Sequence, residues 1–340
     1  MKIETKYSKN NNIMNLGIEI LRMILCFWVI TFHYVGNKNR KNYKILNTFY
    51  HVPTFMLISF YFSYKTFFSN DIIKYKNRLE RLLIPYIIWP IIFLLISIPI
   101  DSINIKKLKK LIIILSIQYI TGYKIIVCLW FIQTLIFFGI FFQIIFFLFH
   151  KQSLLILQIF SVISYFIQYK EINYEIFFHC SLHLRPVSHI AEMIPIAVTG
   201  LTLKKIDIFK ALSNDKRKSI FFSMISLYFI YNFNVFGKFK GFIYSGINQN
   251  IAGICLFISF SLIPFNKLKN RIIIIFIKTI TRYTGGIYYL QKITFYILRR
   301  IKYLHRRPLF KCFIIYVLGY LICTVFTKLF RNNRLKYLFI

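Results

Sequence analysis

The sequence predicts an all-α polytopic membrane protein with about ten transmembrane helices. Of its 340 residues, 57% are hydrophobic, and the mean hydropathy is +0.60. Apolar runs of bilayer-spanning length recur from one end of the chain to the other. These runs are continuous and do not alternate with period two, which favours helices and disfavours a closed β-barrel.

The ten predicted spans follow one another without a long polar interruption. In chain order they are 13–35, 48–68, 82–100, 128–149, 153–169, 189–203, 219–236, 249–265, 283–299 and 310–330. Two shorter apolar runs, 106–121 and 268–280, are flanked by Lys and Arg and are expected to be interfacial or re-entrant helices. No linker rich in Gly, Pro or Ser separates the runs, so we expect a single domain over residues 1–340. The first run lacks a small-residue cleavage site and is expected to remain as a helix.

The formal net charge of +35, with only ten acidic residues, raises the question of an anionic partner. In a soluble chain this excess would suggest nucleic acid. Here most Lys and Arg residues lie between apolar runs, where lipid headgroups neutralise them. The predicted partner of this charge is therefore the membrane surface and not nucleic acid.

Charged and titratable side chains within the first apolar run are the first candidates for function. Arg22 and His33 are close to three helical turns apart, so they share one face, roughly 16 Å from each other along the axis. Glu19 precedes Arg22 by three residues and can pair with it on that face. Charge inside a membrane is costly, so this stripe predicts a site. The alternative is that Glu19 and Arg22 lie near the aqueous boundary and snorkel, with His33 at the opposite end.

A second cluster of cations precedes the third predicted span. If this stretch is helical, Lys74, Arg78 and Arg81 lie on one face. Two guanidiniums and an ammonium group can bind phosphates. The alternative is an ordinary positively charged cytoplasmic loop.

No metal site and no disulfide framework are predicted. The six cysteines are scattered, and most are expected to be small core residues. The sequence places Cys180 near His179, His183 and His189, a spacing that could hold a metal, but nothing else supports such a site.

Five segments, in order and spacing, resemble the membrane-bound acyltransferase-3 family, which includes sugar and polysaccharide O-acyltransferases. The segments are "IEILRMILCFWVITFH", "VPTFMLISFYF", "RLERLLIPYIIW", "LWFIQTLIFF" and "YTGGIYYLQ". The resemblance covers almost the whole chain. Two positions depart from the family pattern: Phe60 stands where Gly usually follows Ser59, and Gln291 stands where a late His is frequent.

The resemblance implies cytoplasmic termini, a cytoplasmic acyl-CoA donor, with acetyl-CoA expected, and an acceptor hydroxyl on a glycan or lipid-linked sugar. It implies functional roles for Arg22, His33, Arg78 and Arg81, and Lys74 is expected to join the latter two in binding the donor. Ser59 and Trp130, from the second and fourth segments, are candidates for acceptor binding.

Glu192, near the start of the sixth predicted span, is a further candidate. Its carboxylate could bind sugar hydroxyls or orient His33 from another helix; the alternative is a Glu at the membrane interface.

The resemblance implies an integral membrane O-acyltransferase, in which we expect His33 to be the general base, assisted by Arg22 and Glu19. The membrane is expected to be a plasma membrane or an endomembrane. One alternative is an exporter or flippase for a polysaccharide or lipid-linked sugar, since intramembrane charges also mark transport paths. The sequence shows no internal repeat of the kind common in transporters. A structural membrane subunit is the other alternative, and it predicts that the charges of the first run are replaceable.

Overall fold

The computed structural model describes the chain in ten stretches. They are residues 16–35, 51–69, 71–97, 105–121, 129–170, 185–206, 214–235, 247–263, 270–298 and 307–340. Within these stretches the chain is helical and contains no strand, which confirms the predicted all-α class.

The helices correspond closely to the apolar runs of the sequence. They are α1 (Leu16–Tyr34), α2 (His51–Phe68), α3 (Ile72–Ser97), α4 (Ile105–Thr121), α5 (Leu129–Phe149), α6 (Ser153–Lys170), α7 (Arg185–Ile206), α8 (Asn214–Val235), α9 (Ile247–Leu262), α10 (Arg271–Arg282), α11 (Thr284–Leu298) and α12 (Pro308–Leu329). Short 3-10 turns occupy His150–Gln152 and Arg334–Leu338.

Four of the described segments are long and apolar enough to cross a membrane. They are Leu16–Tyr34, Ile72–Ile96, Leu129–Phe166 and Pro308–Leu329. Two further apolar segments, Leu111–Ile120 and Gln249–Leu262, are shorter. The structure therefore supports an all-α membrane protein, and the number of ten spans remains a prediction.

Helix α3 begins well before the predicted span 82–100, at Ile72. Asp71 stabilises this start, because its Oδ1 accepts a hydrogen bond from the backbone N–H of Lys74 at 3.0 Å, as helix-capping side chains do. The stretch with Lys74, Arg78 and Arg81 is therefore helical, and the condition for placing the three cations on one face is met.

Helices α2 and α7 pack closely and run in the same direction. A Cβ on Gly200 of α7 would lie only 2.5 Å from the backbone oxygen of Leu57, so the two backbones touch. One turn further along both helices, Nζ of Lys204 lies 4.8 Å from the centroid of the Tyr61 ring. The second contact lies four residues later than the first in both helices. The starts of α2 and α7 therefore lie at the same end of the fold.

Residues 331–340, which we call the return segment, fold back from the end of α12 onto α3. Nε1 of Trp89 donates a hydrogen bond to the backbone oxygen of Leu338 at 3.2 Å. The ring of Phe339 stacks on Phe326 at 5.0 Å between centroids. The return segment thereby reaches α3, the helix that carries the predicted donor residues.

Candidate active site

One cavity of about 740 Å³ lies between α1, α2, α3, α5 and the start of α11. Every predicted site residue except Glu192 lines it. These residues are Glu19, Arg22, His33, Ser59, Lys74, Arg78, Arg81 and Trp130. The three cations of α3 border one part of the cavity. His33 borders the cavity near the C-terminal end of α1. A single space therefore joins a cationic region to an imidazole.

Glu19 and Arg22 form an ion pair in the wall of this cavity. Nη1 of Arg22 lies 3.1 Å from Oε2 of Glu19, whose side chain is 3% exposed. Nη2 of Arg22 donates a hydrogen bond to Oγ1 of Thr284 at 3.2 Å, and that hydroxyl donates to the backbone oxygen of Thr281 at 2.9 Å. The side chains of Glu19 and Arg22 are thus fixed by contacts with each other and with Thr284. These contacts favour a role in the cavity wall over snorkelling to the aqueous boundary of the membrane.

Arg78 lies against two aromatic rings of α2. Its Cζ is 5.1 Å from the ring centroid of Phe60 and 5.2 Å from that of Phe67. Nη2 donates a hydrogen bond to Oγ of Ser59 at 3.2 Å. Nη1 is buried, and no described residue accepts a hydrogen bond from it. Leaving a buried donor unsatisfied costs free energy, about 1–3 kcal/mol, so the Arg78 site is suited to an anionic ligand.

The contacts of Arg78 show where Ser59 lies in the cavity and what the Phe60 side chain does. Ser59 was predicted to bind the acceptor, and the structure places it beside Arg78, at the cationic end of the cavity. Phe60, the departure from the family pattern, supplies one of the two rings under the guanidinium. A glycine at that position would leave this face of Arg78 without its aromatic neighbour.

Lys74 and Arg81 lie in more open surroundings. Lys74 is 70% exposed, and its Nζ is 2.8 Å from Oδ2 of Asp71. The hydrogen bond from the Lys74 side chain holds the pKa of the Asp71 carboxyl below its usual value. The guanidinium of Arg81 lies 5.7 Å from the ring centroid of Tyr337, in the return segment. The charge of Lys74 is thus largely matched by Asp71, whereas Arg81 faces an aromatic ring.

A second imidazole lies at the other end of the cavity. His51, the first residue of α2, is 1% exposed and lines the cavity together with His33. The ring of Phe32 contacts both imidazoles, with its centroid 5.5 Å from that of His33 and 5.3 Å from that of His51. His51 was not among the predicted site residues, although it directly precedes the "VPTFMLISFYF" segment, and that adjacency was the available signal.

Glu192 is fully buried in α7 and does not line the cavity. It precedes Gly200 by about two turns, and Gly200 packs on Leu57. Because α2 and α7 run in the same direction, Glu192 lies near the level of His51, at the end of the fold that holds the imidazoles. Its side chain is enclosed by protein, and its role in acceptor binding remains a prediction.

The described residues contain no group of three or more His, Cys, Asp or Glu side chains that could hold a metal ion. His179, Cys180 and His183 lie outside the described residues, and of His189 only the helical backbone is described. The cysteines that the structure describes are free and buried: Cys26, Cys255, Cys312 and Cys323.

A comparison with protein-family models identifies the family to which the chain belongs. A family model described as an acyltransferase domain, that of acyltransferase-3, matches residues 15–330. No curated protein and no solved structure is similar enough to match. The matched range contains every candidate site residue, from Glu19 to Glu192, and the start of α11 that bonds Arg22. The chain therefore belongs to the acyltransferase-3 family and is a membrane acyltransferase.

Proposed function

We propose that this protein transfers an acyl group, acetyl being expected, from cytoplasmic acyl-CoA to a hydroxyl of a glycan or lipid-linked sugar. The observation that carries the proposal is the single cavity that joins the cations of α3 to His33. Along α1, Arg22 and His33 are roughly 16 Å apart. That separation suits a long donor whose phosphates stay at one end while its thioester reaches the other.

His33 acts as the general base in this proposal. The neutral imidazole accepts the proton of the acceptor hydroxyl, as histidine side chains commonly do in general base catalysis. The alcohol oxygen attacks the thioester carbonyl, a C–O bond forms, and the C–S bond breaks. The departing thiolate takes the proton back from the imidazolium, so that the products are an ester and a free thiol.

The cationic end binds the donor nucleotide. Arg78 and Arg81 donate hydrogen bonds to its phosphates, and the buried Nη1 of Arg78 supplies a donor that no described residue uses. The Glu19–Arg22 pair, bonded to Thr284, shapes the passage between the two ends. Trp130 lines the same cavity from α5 and would contact the acyl arm or the acceptor. Glu192, near the level of the imidazoles, would act on the acceptor side.

An assay of acyl transfer by the purified full chain tests this proposal. The protein in lipid nanodiscs is given acetyl-CoA labelled in the acetyl group, together with membrane glycans from the expressing cells. We expect release of CoA and label in the glycan, both lost in His33→Ala. The same protein is also reconstituted in sealed vesicles. Movement of the glycan across the vesicle membrane, with no acetyl-CoA consumed in either preparation, would identify an exporter or flippase and overturn the proposal.

A further inference from the structure

The return segment forms part of the cavity wall. Ile340 lines the cavity together with the start of α11. A Cβ on Gly285 would lie 2.7 Å from the backbone oxygen of Ile340, and one on Gly286 would lie 2.5 Å from that of Phe339. The two glycines of the "YTGGIYYLQ" segment therefore permit a backbone contact that any side chain would block. Together with Trp89 on α3, they fix the position of the return segment.

Arg81, which lines the cavity, and Lys336, which lies next to it outside the lining, both contact one ring of this segment. Cζ of Arg81 lies 5.7 Å from the centroid of Tyr337, and Nζ of Lys336 lies 5.6 Å from the same centroid. Among the described residues neither cation forms an ion pair with an acidic side chain. By contrast, Lys74 is paired with Asp71 at 2.8 Å.

Arg334 anchors the segment without adding free charge. Its Nη1 lies 3.2 Å from Oε1 of Glu80, one position before Arg81. The Arg334 side chain is 70% exposed and that of Glu80 is 17% exposed, and their contact places the segment next to the turn of α3 that carries Arg81. The charges beside the Tyr337 ring, those of Arg81 and Lys336, therefore stay available to attract an anion.

We propose that the return segment completes the site for the donor's nucleotide phosphates, with Lys336 as an additional phosphate ligand and Tyr337 as the positioning residue for Arg81. This inference rests on the proposed function. A cation on an aromatic face keeps its N–H groups at the rim available for hydrogen bonds. The ring thus restrains the long Arg81 side chain while leaving its fork free for a phosphate.

The test is the Michaelis constant for two donors, measured with the full chain in nanodiscs. Loss of one partly exposed charged contact should raise KM for acetyl-CoA about two- to fivefold in Lys336→Ala and Tyr337→Leu, with kcat unchanged. Tyr337→Phe keeps the ring face and should behave as wild type. Lys205→Ala removes an exposed lysine at the end of α7 that does not line the cavity, and it is the matched control.

Acetyl-pantetheine, which lacks the nucleotide and its phosphates, separates phosphate binding from general damage. With this donor, Lys336→Ala and Tyr337→Leu should match wild type. An equal rise in KM for both donors, an unchanged KM for acetyl-CoA, or a Tyr337→Phe variant as impaired as Tyr337→Leu would overturn the inference. If Arg78→Ala raises KM for acetyl-CoA while the two return-segment variants do not, the proposed function stands and only this inference fails. Equal KM values of wild type for the two donors would overturn both.

Discussion

The guanidinium of Arg78 lies 5.1 Å above the ring of Phe60. Phe60 directly follows Ser59, whose hydroxyl accepts a hydrogen bond from Arg78. The Phe60 ring is fully buried and packs against Phe142 at 5.0 Å between centroids. The ring is therefore part of the aromatic core and also lies beneath a cation. The departure from the family pattern at this position has a local consequence, a more hydrophobic support for the residue expected to bind phosphate.

Replacing Phe60 by Leu should raise KM for acyl-CoA. The substitution removes a cation–π contact worth about 0.5–2 kcal/mol and leaves an aliphatic side chain of similar burial. Phe138→Leu is the matched control, since Phe138 is fully buried and packs on Phe60 at 5.9 Å but has no cation–π contact among the described residues. Melting temperatures should fall in both variants, and KM should rise only in Phe60→Leu. Equal KM values would show that the ring under Arg78 serves packing alone.

The identity of the catalytic base is tested by two histidine variants. His33→Ala should lower kcat by about 10²–10⁴, the usual cost of losing a general base, without changing expression or membrane insertion. His51→Ala is the informative comparison, because His51 lines the same cavity. Loss of transfer in His51→Ala with activity retained in His33→Ala would reverse the assignment.

Arg78→Ala should raise KM for acyl-CoA about tenfold or more, since a hydrogen bond to a charged group is worth about 1.5–3 kcal/mol. The change in kcat should be smaller, because phosphate contacts are remote from the reacting carbon and bind ground and transition states alike. Arg81→Lys should also be impaired if the phosphate contact is bidentate. An unchanged KM in Arg78→Ala would remove this residue from the donor site.

Contacts within one helix were predictable from the sequence, and contacts between distant segments were not. The spacing of Glu19 and Arg22 predicted their ion pair, since residues three apart on a helix are neighbours. The bond from Arg22 to Thr284 joins residues 262 positions apart. No local periodicity indicates such a contact, and it depends on how α1 and α11 pack. The contact between Arg81 and the ring of Tyr337 could not be predicted from the sequence for the same reason.

Two glycine substitutions should separate close helix packing from ordinary helix propensity. Gly200→Ala places a Cβ 2.5 Å from the backbone oxygen of Leu57, so α2 and α7 must move apart, at a cost of about 1–3 kcal/mol. Gly139→Ala, in α5, meets no described atom within 4 Å and should be neutral or stabilising by up to about 1 kcal/mol. Thermal unfolding in a single detergent measures both. A stable Gly200→Ala variant would contradict the close contact of α2 and α7.

The Glu19–Arg22 pair gives the sharpest test of the cavity wall. Glu19 is buried whereas the Arg22 side chain is 30% exposed, so removing Arg22 leaves a buried carboxylate uncompensated, at a cost of up to about 3–5 kcal/mol. Arg22→Ala should therefore lower stability and activity strongly, because the 3%-exposed carboxylate of Glu19 loses its partner. Glu19→Gln should be milder, since the amide oxygen still accepts a hydrogen bond from Arg22.

Combining Glu19→Gln with Arg22→Gln should recover stability relative to Arg22→Gln alone, because neither charge is then left unpaired. Activity should not recover, because the hydrogen bond from Arg22 to Thr284 at 3.2 Å and the charge in the passage are both lost. The measurement is a double-mutant cycle on melting temperature and on transfer rate. Additive effects on melting temperature would show that the two side chains do not interact. Full transfer activity in the double variant would remove Arg22 from the active site.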